Sequence, residues 1–80
     1  MTLDEILDNY PEEQFLKADG FDGAIIGVDP ISMRLIYDRN AMIAILTQDE
    51  EMEEIDAIEY LEFNTWNTYF GEKTPIYIEI

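Results

Sequence analysis

The stretch Ala24-Ile25-Ile26-Gly27-Val28-Asp29-Pro30-Ile31-Ser32-Met33-Arg34-Leu35-Ile36-Tyr37 decides how the chain is read. Its first five residues are a near-continuous apolar run, the pattern of a central strand. Asp29-Pro30 marks a turn, and Met33 to Tyr37 reads as a second strand. So short a connection favours an antiparallel hairpin over any crossover.

Toward the N-terminus, Asp19-Gly20 and Phe21-Asp22-Gly23 are loop chemistry that closes a preceding helical segment. That segment opens at Thr2, a good N-cap with Glu5 three residues on, which together make a capping box. Leu3, Ile6 and Leu7 form its apolar stripe. Tyr10-Pro11 interrupts it, and Pro11 followed by Glu12-Glu13 suits a fresh first turn. Phe15, Leu16 and Ala18 continue the apolar face, so a broken helical segment is expected up to about Lys17.

Toward the C-terminus, Asp38 can cap a helix whose core-facing stripe is Ala41, Met42, Ile45 and Leu46. It should fade near Gln48-Asp49, and another helix should start almost at once. Glu50 to Glu54 place negative charge in the first turn of that second helix, with Ile55, Ile58 and Leu61 as its buried row. It ends within Glu62 to Trp66, and an irregular or helical turn follows up to Gly71. Thr74-Pro75 opens the last element, in which Ile76, Ile78 and Ile80 alternate with Tyr77 and Glu79. This period of two implies one buried and one exposed face, and the strand must return to the hairpin to bury its isoleucines. It could sit at a sheet edge, where Glu79 would discourage strand addition.

The resulting order, α-β-β-α-α-β, describes a single α+β domain over residues 1–80. A three-stranded, mainly antiparallel sheet with helices packed on one face satisfies it best.

The chain has 80 residues, with 19 Asp+Glu against 4 Lys+Arg and a net charge of −15. Hydrophobic residues are nonetheless 48% of it, so the acidity is not that of a disordered tail. With no Cys and no His, the commonest nucleophiles, the neutral-pH proton shuttle and most transition-metal ligand sets are missing. A reducing, cytoplasmic setting is expected, since no disulfide framework exists, the first residues are acidic and no apolar run approaches a membrane span. Negative charge repels nucleic acid and anionic lipid alike, so direct contact with either is disfavoured and basic protein surfaces are the expected partners.

Eight acids fall between positions 49 and 62: Asp49, Glu50, Glu51, Glu53, Glu54, Asp56, Glu59 and Glu62. On one helix these fourteen residues would span roughly 21 Å and carry about one charge per 2.6 Å, against about one per 1.7 Å for duplex DNA. Glu53, Asp56, Glu59 and Glu62 recur every third residue and repel one another. A solvated helix face or adaptation to high salt would also produce acids. A recognition surface explains in addition why the first 30 residues carry eight more acids with Lys17 as their only counter-charge.

Asp19 to Gly23 has some of the flavour of a calcium loop but lacks its alternating acids and terminal glutamate, and reads as a helix stop. Glu59 and Glu62 could pair as acid and base. Any acidic helix offers such pairs, and no phosphate-binding glycine loop or cationic group accompanies them, so no enzyme and no cofactor are expected. Tyr60, Phe63, Trp66, Tyr69, Phe70 and Tyr77 should mostly fill the core. Trp66, between Thr65 and Asn67 and beside Tyr69, could instead be a partly exposed interface anchor. Arg34 and Arg39 are expected to pair with local acids.

Phe21-Asp22-Gly23-Ala24-Ile25-Ile26-Gly27-Val28-Asp29 has a further significance as a unit. With Arg34-Leu35-Ile36-Tyr37-Asp38, Ala57-Ile58-Glu59-Tyr60-Leu61-Glu62-Phe63-Asn64 and Gly71-Glu72-Lys73-Thr74-Pro75, it resembles a family of small, functionally uncharacterised proteins encoded by bacteriophages and prophages. The likeness covers residues 21 to 80, and its motifs are structural rather than catalytic. It implies a glycine before Met52 and a small capping residue after it, where this chain has Glu51 and Glu53. It also implies a phage accessory protein, of the class in which DNA mimics act as anti-restriction and anti-CRISPR inhibitors.

Two functions are thus expected from different classes. The first is a non-enzymatic inhibitor offering Asp49, Glu50, Glu53, Glu54, Asp56, Glu59 and Glu62 to the basic groove of a host nucleic-acid enzyme. The second is a regulatory or assembly adaptor recognised through Trp66, Tyr69 and Phe70, as a monomer or a homodimer.

Overall fold

The computed structural model describes all residues, 1–80. Helix α1 (Leu3–Asn9) begins at the capping box. The Thr2 N–H donates to Glu5 Oε1 at 3.0 Å, and the Glu5 N–H donates to Thr2 Oγ1 at 3.3 Å. The Glu5 carboxylate accepts from the Thr2 N–H and also from the Thr2 hydroxyl at 3.1 Å, and these two bonds lower its pKa from the ordinary value. A one-turn 3₁₀ helix (Asp22–Ala24) leads into β1 (Ile25–Asp29), which pairs antiparallel with β2 (Arg34–Asp38) through a bulge between Ile25 and Gly27. The turn is built by Asp29, whose carboxylate accepts from the Ile31 N–H at 3.1 Å and the Ser32 hydroxyl at 2.8 Å. Both bonds pull the pKa of Asp29 down.

Asp38 ends β2 and caps α2 (Arg39–Asp49) by accepting from the Asn40 N–H. Next come α3 (Glu54–Leu61), a π-helical turn (Glu62–Trp66) and β3 (Ile76–Ile78). The element order is the expected one and the fold class is α+β. The sheet order is β1-β2-β3, with β3 at an edge.

Three expectations are corrected. The sheet is mixed rather than mainly antiparallel, because β3 runs parallel to β2 in the register Ile36↔Ile76, Tyr37↔Tyr77, Asp38↔Ile78. Two helices separate these strands, and only so long a connection lets a chain re-enter a sheet in the same direction.

The helix expected from Pro11 to Lys17 does not form. Tyr10 adopts φ −131°, ψ 63°, as a residue before proline is driven out of the α region. The backbone beyond it is used by distant partners instead. Lys73 Nζ donates to the Gln14 carbonyl at 2.9 Å, and the Ala18 N–H donates to the Tyr37 hydroxyl at 2.8 Å.

The isoleucines of the last strand are on the other side from the one expected. Tyr77 faces Tyr37, ring centroids 5.5 Å apart, on the helix-covered side, which leaves Ile76 and Ile78 on the outer side. Ile80 is 77% exposed. Tyrosine won the inner position because its ring fills the space beside Tyr37 and the returning segment.

The core lies between the sheet's inner face and the helices. It contains Ile6, Phe21, Ala24, Ile25, Leu35, Tyr37, Met42, Leu46, Ala57 and Leu61. Burial drives the Tyr37 hydroxyl up to about 12. The turn Gly71 to Pro75 locks the C-terminal part to the rest. Thr74 Oγ1 donates to the Gly71 carbonyl at 2.7 Å and accepts from the Phe70 N–H at 2.8 Å, while the Thr74 carbonyl accepts from Arg34 Nε. Lys73 pairs with Glu13 at 2.8 Å. Gly71 has φ +106°, a conformation a side chain would oppose.

Candidate functional site

All eight acids from Asp49 to Glu62 are exposed, but they do not share one helix. Asp49 ends α2, Glu50 to Glu53 form a connecting loop, and only Glu54, Asp56 and Glu59 belong to α3, with Glu62 opening the π turn. The loop exists because Met52 turns inward. Its N–H donates to the Leu46 carbonyl at 3.2 Å, and its side chain packs against the core. Glu50, Glu51 and Glu53 are left facing solvent on either side of it.

The evenly spaced row Glu53, Asp56, Glu59, Glu62 is therefore a fan rather than a line. A three-residue step on an α-helix falls ~60° short of a full turn. The buried positions of α3 are Ala57 and Leu61, with Ile58 half-buried beside them; Ile55, expected inside, is 62% exposed among the acids. Ala57 and Leu61 are four apart and so lie on one face, whereas Ile55 lies on the far side.

Two of these acids occupy positions that suit other residues. Glu51 has φ +55°, the left-handed region in which a side chain's Cβ crowds the carbonyl. Glu53 is the N-cap of α3, but its side chain makes no capping bond, being too long to fold back as Ser, Thr or Asp does. At both places carboxylates stand against the local backbone preference.

None of the eight takes part in an ion pair, because every cation of the chain is engaged elsewhere. Lys17 lies 3.8 Å from Asp22 and Lys73 pairs with Glu13. Arg34 bonds the Thr74 carbonyl, and the Arg39 guanidinium stacks 4.6 Å from the Trp66 ring centroid. The arginines thus do not pair with local acids as expected. No ion pair neutralises any acid of the 49–62 region, and Arg39 comes near it only at Glu62, with which it lines a shallow hollow.

The aromatic residues divide differently from the expectation. Trp66 is half-buried, with its Nε1 donating to Met42 Sδ at 3.4 Å beneath Arg39, so it is a packing residue and not an open anchor. The π turn is the cause. Bonding from i to i+5 turns each residue through less than the α-helix's ~100°, which brings Trp66 round beside Ile58 instead of outward. Asn67 holds that turn by donating its side-chain N–H to the Glu62 carbonyl at 3.1 Å. The aromatics that do face solvent are Phe63 at 82%, Tyr69 at 77%, Phe70 at 64% and Tyr60 at 46% exposed. The expectation that these aromatics mostly fill the core is corrected, since Tyr60, Phe63, Tyr69 and Phe70 all lie at the surface. Phe63 escaped the sequence reading because a residue's facing beyond Leu61 depends on the π turn.

No group of three or more acids is arranged to hold a metal ion, and the Asp19 to Gly23 segment is a turn leading into the 3₁₀ helix. Hollows on the surface are small; one of about 310 Å³ is lined by Arg39, Ile58, Glu62, Trp66 and Glu79 among others. No helix is long and apolar enough to cross a membrane. Comparison with protein-family models, curated proteins and solved structures finds no match.

Proposed function

We propose that the chain is a non-enzymatic accessory protein of phage type that acts in the host cytoplasm. It inhibits a nucleic-acid enzyme, in the manner of anti-restriction or anti-CRISPR proteins, by laying the carboxylates of residues 49–62 against a basic groove. The observation that carries this reading is the set of eight exposed acids, none of them in an ion pair, while the four Lys and Arg side chains make their contacts with other groups of the fold. Glu51 and Glu53 add to it, since each holds a charge at a position where glycine or a short polar residue suits the backbone better. Charge kept in place against stability is what a surface selected for negative potential would show.

The test is capture from a bacterial lysate on immobilised protein at about 50 mM and about 200 mM salt, followed by elution with duplex DNA. Over this range a partner held by six or more phosphate-like contacts loses on the order of a thousandfold in affinity. The captured protein should be a nucleic-acid enzyme, should be displaced by DNA, and should be lost with Asp56→Asn, Glu59→Gln and Glu62→Gln together. Retention at high salt, or by the triple variant, overturns the reading.

An adaptor role is the second reading, favoured by the exposure of Phe63, Tyr69 and Phe70. It differs in its sign: Tyr69→Ala with Phe70→Ala removes the partner, and the three amide substitutions leave it bound.

A further inference from the structure

The outer face of the sheet is unlike the solvent face of an ordinary two-layer domain. Antiparallel sheets that carry helices on one side usually alternate to polar residues on the other. Here the register places Gly27, Ile36 and Ile76 side by side on the outer face, with Ile78 two residues further on. Neither Ile36, Ile76 nor Ile78 packs against the core, whereas Leu3, Ile6, Met42, Leu46, Ala57 and Leu61 of the three helices all do. The outer face is apolar, with Ile36 and Ile76 half-buried and Ile78 exposed.

Its charge is equally distinctive. Asp29, Arg34 and Asp38 are the charged residues whose strand positions point to this side, a balance of −1 in a chain of −15. The acids of residues 49–62 belong to the helix layer or its connections. This face therefore carries little of the repulsion that otherwise keeps two copies apart. Along the central strand the outward residues read Arg34, Ile36, Asp38, with the opposite charges equally far from Ile36, about 6.6 Å on either side. Within the chain Arg34 uses its Nε on the Thr74 carbonyl and Asp38 uses its Oδ1 on the Asn40 N–H, so the Arg34 Nη groups and Asp38 Oδ2 are left for a partner. A two-fold axis through Ile36 brings Arg34 of one copy onto Asp38 of the other, twice, with isoleucine against isoleucine between them. A basic partner would find little to attract it here, whereas a second copy finds its own complement.

We propose that the chain forms a two-fold homodimer by packing the outer sheet faces together, with Ile36 on the axis and Arg34 of each copy opposite Asp38 of the other. The strands are short, so the interface falls at the small end for specific association and the dimer dissociates at micromolar concentrations or above. Because each copy carries −15, added salt strengthens this dimer by screening the repulsion between the copies, the opposite of its effect on a basic partner.

Analytical ultracentrifugation of the full chain from about 10 to 500 μM, at low and at high salt, gives the first test, with far-UV circular dichroism confirming the fold of every variant. The wild type should pass from monomer to dimer, more readily at high salt. Ile78→Lys, at a position already 37% exposed and free of any core contact, should lower the association at least tenfold. Arg34→Asp, which also gives up the bond to the Thr74 carbonyl, and Asp38→Arg, which also gives up the cap of α2, should each be monomeric while still folded, since each sets like charges opposite one another at both contacts. An equimolar mixture of those two variants should form a heterodimer, because both contacts again pair opposite charges. A wild type that stays monomeric throughout, leaving the face to some other occupant, overturns the proposal. So does a dimer that Ile78→Lys and Arg34→Asp leave intact, which would place the contact on the Tyr69 and Phe70 surface. A well-folded pair of charge variants that fails to recombine also overturns it.

Discussion

Replacing Glu51 by glycine and Glu53 by threonine should make the protein more stable and a poorer ligand for a basic partner. At position 51 the left-handed backbone costs a residue with a Cβ about 1–2 kcal/mol, and glycine avoids this while losing about 0.5–1 kcal/mol through its greater freedom in the unfolded chain. The net gain is about 0.5–1 kcal/mol. At position 53 a threonine hydroxyl can accept one of the unsatisfied N–H groups at the start of α3, where Glu53 accepts none, for a gain of about 1 kcal/mol. Together these amount to about 1.5–2 kcal/mol, or roughly 10 °C in Tm for a domain of this size. Calorimetry and urea titration measure it, with Glu59→Gln as the control for loss of an exposed acid at an ordinary helical position. The gain should persist at high salt, because backbone strain and a cap are not screened. If the double variant is no more stable than the control, or if its advantage vanishes in salt, these two glutamates are not held against the backbone and the support they lend to a charge-selected surface is gone.

Other perturbations reach different parts of the fold. Burial raises the Tyr37 hydroxyl to about 12, against about 10 in the unfolded chain, so stability is complete below pH 10 and falls as pH rises from 10 to 12, by up to about 3 kcal/mol. Tyr37→Phe should flatten most of that alkaline decline in a pH series of urea midpoints, leaving a smaller part from Tyr77, whose pKa burial also raises. At neutral pH the same variant should cost about 1–3 kcal/mol, because the Ala18 N–H loses its acceptor. Thr74→Val should cost about 1–3 kcal/mol by equilibrium unfolding, since it removes both hydroxyl bonds of the Gly71 to Pro75 turn. Trp66→Ala should destabilise by about 2–4 kcal/mol and quench no partner binding beyond what the lost stability explains; a stable variant with lost binding would restore Trp66 as an anchor.

The elements legible in the sequence were those defined by neighbours in the chain. Thr2 with Glu5, Asp38 before Arg39, and the Asp29-Pro30 turn each act over two or three residues, and all are present. What sequence could not show depends on distant partners. Gln14 and Ala18 stay out of a helix because Lys73 and Tyr37 take their backbone groups. The direction of β3 follows from the path of the two helices before it, and the inward turn of Tyr77 follows from the pairing with Tyr37. At the acidic surface, residue types were readable and their arrangement was not. A run of acids carries no mark of where Met52 must dip into the core, so one expected helix became a loop and a shorter helix.

The parallel pairing of β3 with β2 also fixes an order of events. Four residues separate β1 from β2, whereas 37 separate β2 from β3. Closing the longer connection costs about 2 kcal/mol more in chain entropy, and nothing offsets this until α2 and α3 have docked. The hairpin therefore assembles early and spends the interval with one side of its central strand unpaired, a template for any passing extended segment. Crowding at high expression is most dangerous in that interval, and slowing the docking of the last strand, as a weakened Gly71 to Pro75 turn would, lengthens it. Residues far from any binding surface thus govern how much of the protein survives its own synthesis.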